Sequence, residues 1–155
     1  MEYCKAAHFP FLSGIRLEEG GSTPLVDNTI FRQLIGSLLY LTHLSPDISY
    51  AVSVTAIYMQ EQHKLPWKET KHILHYVQCA RDYGIHYTVD AQLDLIGYID
   101  LEWDGDGNDT KYSSSFVFML GSRPICWSNK KQAALALYSE EAEYQGAVNA
   151  TIQAF

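Results

Sequence analysis

Leu95-Ile-Gly-Tyr-Ile-Asp100-Leu-Glu102-Trp103-Asp-Gly-Asp-Gly107 sets one carboxylate, Asp100, on an apolar run, and Ser139-Glu-Glu-Ala-Glu143-Tyr144 sets another at the start of a helical pattern. Between them Phe116, Phe118 and Leu120 alternate with Val117 and Met119, and Gly121-Ser122 supplies a turn. Ile125-Cys-Trp127-Ser-Asn-Lys130-Lys131-Gln132 then lies where a returning strand belongs. The spacing predicts strands over 95–100, 116–120 and 124–128, followed by a helix from Ser139. In that helix Glu143, Ala147, Ala150 and Ala154 recur on one stripe, which would set the Glu143 carboxylate at the N-terminal end of the side facing the sheet. Two carboxylates converging from a strand and a helix can hold a divalent metal.

Upstream the period is helical. Asp27-Asn28-Thr29 offers a cap to a helix in which Phe31, Leu34, Leu38 and Leu41 share a face. Ser45-Pro46-Asp47 combines a capping hydroxyl, a proline for the first position and a first-turn acid, ahead of Ile48, Ala51, Val52, Thr55 and Met59. Pro66 opens a third helix, with Trp67, Thr70, Leu74, Val77 and Arg81 on one face, and Gly84 stands where a helix end wants positive φ. Ile85, Tyr87 and Val89 then alternate with His86, Thr88 and Asp90 at strand spacing. The expected class is α+β: an extended lead-in over 1–26, a helical segment over 27–91, and an incomplete sheet with one C-terminal helix over 92–155.

A chain of 155 residues, 47% hydrophobic and 19% charged, fits one globular domain or two small ones and carries no signature of disorder. Cys4, Cys79 and Cys126 are odd in number and widely spaced, which argues for reduced thiols over a disulfide framework. The apolar runs are too short to span a bilayer, and Met-Glu-Tyr-Cys-Lys-Ala-Ala-His8 lacks the pattern of a secretory signal, so the expected location is intracellular, in cytoplasm or nucleus. Net charge is −7: residues 1–91 carry nine acids and seven bases, and residues 92–155 carry nine acids and four bases. Those four bases are Lys111, Arg123, Lys130 and Lys131, a thin footprint for gripping phosphates.

Other motifs give way to plainer readings. Asp100 and Glu143 also fit a solvated strand-end acid and an ordinary first-turn helix acid. Asp100, Glu102, Asp104, Gly105, Asp106 and Asn108 mimic a calcium loop, but Lys111 stands where the bidentate glutamate is needed. His72, His75 and Cys79 share two helical turns without a fourth ligand. No glycine-rich phosphate loop, Gly-x-Ser-x-Gly elbow, Cys-x-x-Cys pair or Tyr-x-Asp-Asp polymerase motif occurs.

The wording of these blocks resembles the end of the reverse transcriptase and the ribonuclease H region of copia-type retrotransposon Pol polyproteins. Phe31-Arg-Gln-Leu-Ile-Gly-Ser-Leu-Leu-Tyr-Leu-Thr42, Pro46-Asp-Ile-Ser-Tyr-Ala-Val52, Trp67-Lys68 and Asp82-Tyr-Gly-Ile-His-Tyr87 look like the segment that follows the polymerase palm. Asp100 matches the first catalytic aspartate of the family's ribonuclease H pattern, and Glu143 the glutamate of its Ala-Glu-Tyr motif. In that family these acids and two later aspartates hold magnesium ions that drive hydrolysis of the RNA strand of an RNA–DNA hybrid. The chain departs from the pattern at Ser45, Glu102, Asp104 and Thr110-Lys111-Tyr112, losing arginine and gaining acid, and the two later aspartates are not in it.

The resemblance therefore implies a truncated product without catalytic activity of its own and without a metal when alone. Lys130 and Lys131 are the candidate nucleic-acid contacts. Missing later strands would leave a sheet edge open to self-association. The alternatives are a magnesium-dependent ribonuclease H completed by a partner chain, and a non-enzymatic interaction, regulatory or effector-type protein.

Overall fold

The Asp27 carboxylate accepts the Thr29 backbone N–H at 2.8 Å, and that bond holds its pKa below the ordinary carboxylate value. It caps α1, Asn28–Leu41, which buries Phe31, Ile35 and Leu38 on one stripe. The computed structural model describes residues 7–11, 27–59, 66–87, 93–103, 112–132 and 138–154, with Glu102, Trp103 and Lys131 described by their backbone alone. Most of the expected lead-in, Thr88 and Val89 of the first expected strand, and the loop through Asp104, Gly105, Asp106, Asn108 and Lys111 lie outside the described residues. The chain divides into two units, Met1–Gly84 and Ile85–Phe155.

In the first unit a 3-10 turn, Pro46–Ile48, leads into α2, Ser49–Ile57, and α3 runs Trp67–Cys79. Phe31, Ile35, Ile48, Val52 and Ile73 are essentially inaccessible and form the centre of the core, with Ala7 of the N-terminal segment buried against it. Two buried hydroxyls satisfy themselves on their own helices: Thr55 donates to the Ala51 carbonyl at 3.1 Å, and Thr70 donates to the Pro66 carbonyl at 2.8 Å. Tyr76 closes the unit by donating its hydroxyl to the Asp47 carboxylate, which ties α3 to the 3-10 turn.

Several details differ from the sequence expectation. The Ser45 hydroxyl makes no capping bond, because the chain first tightens into the 3-10 turn. The fully buried residues of α3 are Thr70, Ile73 and Tyr76, while Trp67, Leu74 and Val77 of the expected face of Trp67, Thr70, Leu74, Val77 and Arg81 are partly buried against the same core. The helix ends at Ala80 with φ −90°, so no positive φ is needed at Gly84. Residues 85–87 form no strand, although the chain there is anchored: the His86 carbonyl accepts from Arg123 Nε at 2.8 Å, and Tyr87 donates its hydroxyl to the Pro124 carbonyl at 2.6 Å.

The second unit is a three-stranded antiparallel sheet in the order β1 (Leu95–Trp103), β2 (Tyr112–Leu120), β3 (Arg123–Lys131), followed by α4 (Ser139–Ala154). All three strands run longer than their apolar alternation indicates. The polar end of β2, Ser113-Ser-Ser115, is drawn into the sheet by pairing with Glu102, Leu101 and Asp100. Gly121, at φ 63°, makes the tight turn between β2 and β3 that a side chain would strain. Gly97 leaves room for the Phe118 ring to lie across β1, since a Cβ there would come within 2.8 Å of the ring. The ring of Phe116 lies beside that of Phe118, with centroids 5.5 Å apart.

Candidate functional site

The pleat of β1 decides where Asp100 stands. A Cβ added at Gly146 of α4 would lie 3.2 Å from a Leu101 methyl and 3.6 Å from an Ile99 methyl, so Ile99 and Leu101 form the row against the helix. Side chains alternate along a strand, and Asp100 between them therefore belongs to the opposite row, where it is exposed. It pairs with Ser115 of β2, which pairs in turn with Asn129 of β3, giving a polar line across the sheet. The Ser115 hydroxyl donates to the Asp100 backbone carbonyl at 3.3 Å and leaves the carboxylate unengaged by it.

Glu143 occupies the other surface. The face of α4 that meets the sheet is Ala142, Gly146 and Ala150, one residue round from the stripe of Glu143, Ala147, Ala150 and Ala154 expected from sequence, and Glu143 is exposed. Small residues take the contact because they let the helix axis approach Ile99 and Leu101 closely. A glutamate in that position would bury an unpaired charge against apolar side chains. Asp100 and Glu143 thus stand on different surfaces of the unit, whereas an ion held jointly by them needs donors on one surface. Among the described residues no group of three or more His, Cys, Asp or Glu side chains is placed to hold a metal ion.

Lys130 is exposed and pairs with Ser114, in the row that faces α4, while the side chain of Lys131 lies outside the described residues. In the first unit His72 is engaged through Nε2 with the Phe9 carbonyl at 2.9 Å, and Cys79 is exposed at the end of α3. No described helix is long and apolar enough to cross a membrane.

Gln132, carried in the sequence only as the last residue of a motif, has a structural role that periodicity does not reveal. It is buried, its backbone N–H donates to the Tyr112 carbonyl at 2.7 Å, and its side-chain Nε2 donates to the Ala142 carbonyl at 3.1 Å. It joins the end of β3 to the first turns of α4 and so fixes the helix that carries Glu143. The signal available in the sequence was a polar residue closing a strand just before a helix start.

Known proteins similar to the chain include the Retrovirus-related Pol polyprotein from transposon RE2 of Arabidopsis thaliana, 36% identical over 140 residues that make up 90% of this chain and 10% of that protein. The Retrovirus-related Pol polyprotein from transposon TNT 1-94 of Nicotiana tabacum is 30% identical over 129 residues, 83% of this chain and 9% of that protein. The Secreted RxLR effector protein 161 of Plasmopara viticola is 31% identical over 128 residues, 82% of this chain and 90% of that protein. The chain spans about a tenth of the length of the Pol polyproteins it matches. No protein-family model and no solved structure matches it.

Proposed function

The chain belongs to the retrovirus-related Pol polyproteins of transposons, and from that premise we propose that it is a segment of a copia-type polyprotein without catalytic activity of its own. On this reading the helices of the first unit correspond to the end of the reverse transcriptase, and the second unit to the opening strands and first helix of a ribonuclease H-like domain. The observation that carries the inactive reading is the placement of Asp100 and Glu143 on different surfaces. Two-metal hydrolysis needs carboxylates that converge on ions roughly 4 Å apart. Asp100 and Glu143 are then marks of ancestry.

The test is an endonuclease assay of the purified chain on an RNA–DNA hybrid with magnesium. The expected result is no cleavage beyond a no-protein control. Magnesium-dependent cleavage that disappears in Asp100→Asn would overturn the inactive reading.

A second reading is favoured by the effector relative, which this chain matches over 90% of that protein's length. There a segment of this extent makes up nearly a whole protein, so a role through binding, regulatory or effector-type, needs no catalytic acid. Affinity capture with the purified chain tests it. A partner recovered reproducibly and lost on mutating an exposed residue supports binding, and capture indistinguishable from a denatured-chain control removes it.

A further inference from the structure

Lys68, Lys71, His72 and His75 recur at i, i+3, i+4 and i+7 and so share one stripe of α3, apart from the Thr70, Ile73 and Tyr76 side that enters the core. The N-terminal segment lies against that stripe and is pinned at three points. Ala7 is buried in the core, the Phe9 carbonyl is engaged by His72 Nε2 at 2.9 Å, and the Phe11 ring stands edge-on to that of Tyr50 with centroids 5.8 Å apart. Between segment and helix is a cavity of about 290 Å³, walled on one side by Pro10 and Phe11 and on the other by the α3 stripe. That volume stands at the small end of pockets that hold organic ligands, which run from roughly 300 Å³ upward.

We propose that this cavity binds a small aromatic carboxylate, with its ring against Pro10, Phe11 and the imidazoles and its charge toward Lys68 and Lys71. Charge complementarity selects an anion. The chain carries a net charge of −7, yet two of its 11 Lys and Arg residues meet at this one cavity, and among the described residues no acid pairs with either ammonium group. Lys71 Nζ is held 5.1 Å from the centre of the Trp67 ring, a contact that keeps the charge beside the wall without neutralising it. Glu69 also lines the cavity and sets a limit. One acid against two lysines leaves a formal surplus of one positive charge, which a carboxylate matches and a phosphate dianion exceeds. The walls select the body of the ligand. Proline, phenylalanine and imidazole rings offer flat faces on which an aromatic ring packs, and a cavity of this size takes a body of one or two rings. The inference stands on the first unit and does not depend on the catalytic state of the chain.

The full chain tests it, with naphthalene-2-carboxylate as the probe in calorimetric titration. Binding should saturate with a Kd of about 1 mM or tighter, as expected for a ligand of that size. The neutral counterpart 2-naphthamide, and inorganic phosphate, should each bind about tenfold more weakly. Lys68→Ala/Lys71→Ala, at exposed positions outside the core, should weaken the carboxylate about tenfold and leave the unfolding midpoint in place. Glu69→Gln, which removes the acid from the lining, should tighten it about twofold. Backbone amide shifts induced by the probe, read by NMR, should cluster at Phe11, Lys68, Lys71, His72 and His75. Absence of saturable binding, equal affinity for 2-naphthamide, unchanged affinity in the double lysine variant, or shifts that fall outside the cavity overturns the proposal. An acidic peptide or single-stranded oligonucleotide that binds at these residues while the naphthoate does not also overturns it, since the face would then dock a polymer.

Discussion

The contact that seats α4 on the sheet can be weighed against helix propensity at a single position, Gly146. Replacing it with alanine removes the entropic penalty of a mid-helix glycine, a gain of about 1 kcal/mol. The new Cβ meets a Leu101 methyl at 3.2 Å, a few tenths of an ångström short of ordinary contact, and Ile99 at a comfortable 3.6 Å. Leu101 is half-buried, so its methyl can swing away at an off-rotamer cost of about 0.5–1.5 kcal/mol. The two effects nearly cancel, and Gly146→Ala is expected within about 0.5 kcal/mol of wild type. Gly146→Val adds two methyl groups where one already crowds, and overpacking of this kind costs about 1–3 kcal/mol. Leu101→Ala should relieve that cost, so the double variant Gly146→Val/Leu101→Ala should be more stable than the sum of its parts by about 1 kcal/mol. Urea titration followed by far-UV circular dichroism reads the four variants against wild type. If Gly146→Val matches wild type, or the two changes are additive, α4 does not dock through Gly146 and the placement of Glu143 argued from it fails.

Three further outcomes follow from the first unit and the β2–β3 turn. The Tyr76 hydroxyl is pushed up to about 12 from 10 by its hydrogen bond to Asp47, so its stabilisation is complete below pH 10 and is lost as pH rises through 12. Tyr76→Phe should cost about 1 kcal/mol at neutral pH and flatten the loss of stability across that alkaline window; an unchanged alkaline transition would refute the bond. Ile73→Ala, at a fully buried position, should destabilise the first unit by about 2–5 kcal/mol in thermal or urea unfolding, and a loss under 1 kcal/mol would move the core elsewhere. Gly121→Val forces a β-branched residue to φ 63° and should cost about 1–2 kcal/mol, measured in the same way.

How much of this could be read from the chain depends on whether a local signal or a tertiary contact made the choice. Asp27 and the Phe31, Leu38 period are local, and α1 came out where they pointed. The ends of β2 were hidden because Ser113-Ser-Ser115 has no apolar alternation and becomes strand through its partners on β1 and β3. The bond from Tyr76 to Asp47 joins residues 29 apart and leaves no local signal in the sequence. The face of α4 was harder still. Ala142, Gly146 and Ala150 and the neighbouring stripe of Ala147, Ala150 and Ala154 are both small, so hydrophobicity barely separates them, and the close approach to Leu101 and Ile99 selects the first. The strand position of Asp100 was legible, but its side of the sheet was not, because that depends on which row α4 covers.

Glu143 is the point at which ancestry and folding separate most cleanly. The acids that complement the α4 dipole are Glu140 and Glu141 in the first turn, and Glu143 sits beyond it, where that interaction has largely decayed. It is exposed and packs on no described side of the sheet, so folding asks little of it. Glu143→Gln should therefore leave stability within about 0.5 kcal/mol of wild type, as surface substitutions away from caps and cores generally do. Ala142→Glu, which moves a carboxylate one residue back onto the buried stripe, should unseat the helix by setting a charge against Ile99 and Leu101. Unfolding curves of the two variants distinguish the readings directly. If Glu143→Gln proves the damaging change and Ala142→Glu the silent one, α4 is rotated from the position described, and Glu143 faces the sheet as its spacing first suggested.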